Sequence, residues 1–143
     1  MAVSIGLTVS GSAINESTPL DFGTVQAGTS SAIITVTATN TGSSDALACV
    51  VEPVEASIAN GFSSAIQVGT AAETYSAQTF ALDGVSTFYN YAVLGTGKNY
   101  TNKTGGTLVA TTGTDTFVTK WTPPSTGSSG SKVWGMIVRS VYV

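Results

Sequence analysis

The stretch "SAIITVTAT", residues 31–39, decides the fold. Its side chains alternate: Ala32, Ile34, Val36 and Ala38 share one face, and Ile33, Thr35, Thr37 and Thr39 the other. A period of two with β-branched residues on both faces is the pattern of an antiparallel strand packed on one side and wet on the other. The same alternation recurs at 3–9, 46–52, 62–68, 75–82, 86–94, 107–112, 115–122 and 132–142, separated by Gly, Asn, Ser, Asp and Pro clusters. No window carries the i, i+3, i+4 apolar stripe of a helix. Eight or nine short strands predict an all-β, antiparallel two-sheet sandwich. Its core should hold Ala32, Ile34, Val36, Ala38, Phe117 and at least one of Trp121 and Trp134.

The chain has 143 residues, enough for one domain over 1–143 with one core. Apolar residues make up 42% and charged residues only 9%, against about 25% charged in an average domain. Ser, Thr, Gly and Ala fill the gap. There is no His, which removes the commonest general base and metal ligand, and the single Cys49 excludes an internal disulfide. The opening "MAVSIGLTVSGSAINES" lacks the basic and apolar regions of a signal peptide, and no segment has the apolar length to span a bilayer. A hydroxyl-rich, Lys-poor composition suits a protein that works outside a cell. With no export signal, the expected location is a virus particle assembled in the host cytoplasm.

Charge is segregated along the chain. Residues 1–97 hold seven acids and no Lys or Arg, whereas Lys98, Lys103, Lys120, Lys132 and Arg139 follow with Asp115 alone. In a charge-poor chain such a layout arises readily by chance; the sharper reading is that opposite faces attract neighbouring copies or an oppositely charged support. Five cations over forty residues are too few for a nucleic-acid groove.

Chemistry-bearing motifs are weak. "GTGKN", residues 95–99 around Lys98, lacks the first Gly, the Ser/Thr and the helix of a phosphate loop, and reads as a hairpin tip. "DFG" at Asp21–Gly23 has none of the companion kinase motifs. Glu52 and Glu55 flank Pro53 as a turn or edge rather than a glycosidase pair, and the scattered acids do not make a calcium site. The sequence therefore predicts no catalytic, cofactor-binding or metal-binding residue and no enzyme activity. The aromatic group around Tyr89 reads first as core or inter-strand packing; as an interface, the candidate residues are Tyr89, Tyr91, Tyr100, Lys98 and Lys103, because Tyr offers contact area and a hydroxyl at small entropic cost. The segments Gly95–Gly106 and Thr122–Ser131 are expected as exposed, mobile loops.

"LDFGTVQAGTSSAIITVTATNTGSSDALACV", residues 20–50, resembles the opening of immunoglobulin-like domains of the ASPM–SPD-2–Hydin kind. The resemblance rests on Phe22-Gly23, Gly28, the strand Ala32–Ala38 and the turn Asn40-Thr41-Gly42. It extends loosely to Gly61-Phe62 and to "FVTKWTPPSTG" at 117–127, and fails over 70–112. It implies an immunoglobulin-like type for the sandwich and a binding and scaffolding module, found in bacteriophage virion proteins among other settings. The expectation is a bacteriophage capsid decoration protein that binds and reinforces the outer shell. Its partners would be the capsid protein or copies of itself, as a homo-oligomer or an array on a shell, with no nucleic acid and no membrane. A tail or head-fibre component, or a bacterial surface or adhesive module, is the alternative.

Overall fold

The computed structural model describes residues 2–55, 75–127 and 129–141. Within these, nine strands form two antiparallel sheets: β1 (Ile5–Val9), β2 (Ser12–Ala13), β3 (Ile34–Asn40), β4 (Ala46–Val54), β5 (Gln78–Ala81), β6 (Ala92–Val93), β7 (Gly106–Leu108), β8 (Thr114–Trp121) and β9 (Gly135–Val141). The strand expected at 62–68 lies outside the described residues.

The first sheet has the order β2-β1-β3-β8-β5. In the second, Val50 and Val51 of β4 pair with both β6 and β9, so those two lie on opposite edges of β4, while β7 pairs at Ala46 and Cys49. The order β1-β3-β8-β5 with β4 joined to β9 matches the A-B-E-D and C-F pairings of an immunoglobulin-like sandwich. Both long pairings, β3 with β8 and β4 with β9, join strands distant in sequence.

Local chemistry explains the corners. Ser10 and Gly11 take φ of 51° and 81°, the left-handed pair that a two-residue hairpin needs between β1 and β2. At the crossover from β3 to β4, Asn40 is fully buried. Its Oδ1 accepts from Gly42 N at 2.9 Å, and its Nδ2 donates to the carbonyls of Ser44 and Leu108, each at 2.9 Å. A Cβ on Gly42 would come within 2.3 Å of the Ala2 carbonyl oxygen, so only Gly fits this crossing. Ala48, at φ 53°, forms a bulge where the register of β4 slips against both β7 and β9.

The core lies between the sheets. Ile5, Leu7, Val36, Ala38, Phe80 and Phe117 come from the first, and Ala46, Cys49, Val51, Leu108, Met136 and Val138 from the second. The rings of Phe80 and Phe117 meet at 5.7 Å between centroids.

Three expectations need correction. Ala32 is exposed and Ile34 only half-buried, because β3 starts at Ile34. Ahead of it, Ser31 Oγ takes over from the backbone and accepts from Trp121 N at 3.0 Å, while Ser31 N donates to the Trp121 carbonyl. Trp121 and Trp134 are half-buried rather than central. They sit outside a polar end of the core, where Gln78 and Thr119 are buried and bonded to each other at 3.1 Å. Finally, Gly95–Gly106 is the hairpin expected of "GTGKN", but it is laddered and anchored on the core rather than exposed throughout. Thr96 bridges Thr107 and Asn99 bridges Thr104, and Tyr100 packs against the core.

Candidate functional site

Alternation in β1, β3 and β8 turns a set of threonines outward. The register lines up Thr8, Thr37 and Thr116 across three strands, and Thr39 beside Thr114, whose hydroxyls lie 3.3 Å apart. Thr35 lies opposite Val118. Each threonine exposes a methyl and a hydroxyl on a short side chain, so the face is both hydrogen-bonding and cheap in rotamer entropy to cover. Among the outward positions of these strands the charged side chain is Lys120, at the margin, with its Nζ drawn 4.1 Å over the Phe88 ring.

An apolar end adjoins this face. The turn after β5 brings Gly84 beside Ile33, where a Cβ would come 3.7 Å from Ile33 Cδ1. Ile33, Leu82 and Val85 are 45%, 47% and 94% exposed. The turn is held from within: Asp83 Oδ1 accepts from Val85 N at 2.9 Å and Ser86 N at 2.7 Å. The Val85 amide bond, and then those of Ser86, hold the Asp83 carboxyl below its usual range. A rigid tip that presents an apolar side chain to solvent has the form of a docking anchor.

The residues singled out from sequence form a separate group. Tyr89 contacts Tyr91 and Tyr100, with ring centroids 5.2 and 5.7 Å apart. The Tyr91 hydroxyl donates to the Tyr100 carbonyl. Burial, then the nearby Asp115 charge, push the Tyr100 hydroxyl pKa up, more than the adjacent Val93 backbone lowers it. Lys103 lies 5.2 Å from the Tyr91 centroid and pairs with Glu52, which also accepts from Arg139 Nε at 3.0 Å. Lys98 belongs elsewhere: its Nζ meets Asp115 at 2.5 Å, and the same carboxylate oxygen accepts from Gly95 N at 2.7 Å. The three tyrosines and Lys103 are thus brought together, whereas Lys98 fastens the hairpin to β8.

A third feature is an open cleft of about 920 Å³ between the segment Pro19–Ala27 and the segment leading into β9. Phe22, Trp121 and Trp134 stand on its walls. Phe22 and Trp134 are near parallel (16°, 6.1 Å), and Trp121 tilts against both. Neither Phe22 nor Gln78 was expected at a site from the sequence: Phe22-Gly23 carried only the resemblance in fold, and a lone Gln in a strand carries no motif. Comparison with protein-family models, curated proteins and solved structures returns no match.

Proposed function

We propose that this chain is a bacteriophage virion structural protein, a capsid decoration protein that docks on the outer shell through the outward face of its first sheet and reinforces it without catalysis. The observation that supports this reading most is the threonine ladder with its apolar end at Ile33, Leu82 and Val85. An outer-shell protein needs many identical contacts, and a face of short hydroxyls and methyls desolvates little charge when it packs. The resemblance of residues 20–50 to modules found in virions supports the same setting.

The test is retention of the purified protein on phage particles. Retention should weaken only modestly as salt rises from about 0.05 to 0.5 M, over which the screening length falls from about 14 to about 4 Å. Thr35→Lys and Thr116→Lys, at exposed positions, should abolish retention while leaving the melting temperature unchanged within a few degrees. Retention that collapses with salt, or that survives both substitutions, overturns the proposed face.

A further inference from the structure

The aromatic cleft is unused by the docking face, and its construction is that of a binding site. Trp134 is positioned from below: its Nε1 donates to Gln78 Oε1 at 2.6 Å, and the Gln78 amide is itself buried and fixed on Thr119. The bond satisfies the indole N–H and at the same time fixes the orientation of the ring. Trp134, Trp121 and Phe22 nevertheless remain half-buried, leaving part of each ring to the cleft. Such pre-organisation lowers the cost of ordering the site when a ligand arrives.

The rim is polar and almost uncharged. Among the described residues lining the cleft, Asp21 and Lys132 are the charged ones, of opposite sign, and Thr24, Ser129 and Ser131 add hydroxyls. Asp21 is exposed. Its Oδ1 accepts from Gly23 N at 2.7 Å, and its Oδ2 makes no hydrogen bond among the described residues. The buried Trp121 Nε1 likewise has no partner among them. The volume lies within the roughly 300–1,000 Å³ of small-ligand pockets.

Aromatic faces beside hydroxyls and one carboxylate oxygen unbonded among the described residues, with a single charge of each sign among them, match one ligand chemistry. A pyranose ring has an apolar face of C–H groups and a periphery of hydroxyls, and it carries no charge. We propose that the cleft binds a neutral oligosaccharide, stacked on Phe22, Trp121 and Trp134 with its hydroxyls on Asp21, Thr24 and Ser131. A proline-rich or apolar peptide would use the rings but leave the Asp21 carboxylate facing an apolar surface.

The test uses the soluble protein alone, so its outcome is independent of docking on particles. Tryptophan fluorescence and titration calorimetry would follow addition of neutral hexasaccharides of β-1,4-glucose, β-1,4-N-acetylglucosamine, α-1,4-glucose and α-1,6-mannose. The expected result is saturation by at least one of them at or below millimolar concentration. Asp21→Ala should weaken it about 10-fold, the worth of one hydrogen bond to a charged group. Trp134→Phe, which keeps the packing and removes the indole N–H, should also weaken it, whereas Thr116→Lys should leave it unchanged. No saturable response to any of the four sugars overturns the proposal. So does a response that survives both Asp21→Ala and Trp134→Phe, or saturation by a proline-rich decapeptide when the sugars give none.

Discussion

Asn40 shows how much of the sandwich one side chain can hold. It ends β3, turns the chain through Gly42, and ties the crossover to β7 through the Leu108 carbonyl, 68 residues away in sequence. Removing it strands two buried carbonyls and one amide, so Asn40→Ala should cost about 2–4 kcal/mol in chemical denaturation. Asn40→Asp should cost more, because a carboxylate cannot donate to either carbonyl; an Asp variant as stable as the parent would show that these bonds contribute nothing. The Asn-Thr-Gly turn was legible in the sequence as turn chemistry, but its burial and long-range bond were not. Cys49 tells a similar story. Burial, partly offset by a hydrogen bond from the Leu108 backbone, pushes its thiol up to about 11, and the Sγ donates to the Ala46 carbonyl at 3.3 Å. It is a core residue rather than a nucleophile.

At the scale of the element, alternation was a good guide to β3 and a poor guide to strand ends. The inward set Val36 and Ala38 is fully buried as expected, while the same face opens at Ile34 and is lost at Ala32. Val36→Ala should therefore cost about 2–3 kcal/mol and Ile34→Ala only about 1; equal losses in urea unfolding would mean that the face does not open toward Ser31. Two-residue strands such as β2 and β6 are too short to show a period, and the Ala48 bulge breaks the alternation that pairing of β4 would need. The tryptophans were misplaced for a physical reason. Large apolar residues at inward positions were assigned to the core, but Gln78 and Thr119 close that core first, and nothing in a single sequence indicates that two polar residues pair in its interior. The threonine face was legible in part, as the wet side of β3. Its extension to Thr8, Thr114 and Thr116 needed the register.

Across the whole molecule, folding pairs three of the five cations of the basic end with acids among the described residues. Lys98 reaches Asp115, and Lys103 and Arg139 converge on Glu52, so the basic end of the chain is folded onto acids from both halves. These three cations are thereby drawn into the molecule's own network. Glu52 is the pivot, since it joins β4 to the hairpin at Lys103 and to β9 at Arg139. Partial burial raises its carboxyl, but the hydrogen bonds and charges of Lys103 and Arg139 outweigh this and hold it below its ordinary 4.5. A carboxyl lowered on folding stabilises the native state fully above that ordinary value, and the contribution is lost as pH falls below 4.5 through the lower folded value. The Glu52 side chain keeps 23% of its exposure, so solvent screening limits the effect, and each pair contributes up to about 1 kcal/mol. Glu52→Gln should therefore lower the melting temperature at pH 7 by about 2–5 °C. The gap between parent and variant should close as pH falls below 4.5, because protonation makes the parent carboxyl neutral as well. A gap that stays constant down to low pH would mean that the Gln disturbs packing, and that the ion pairs with Lys103 and Arg139 do not stabilise the second sheet.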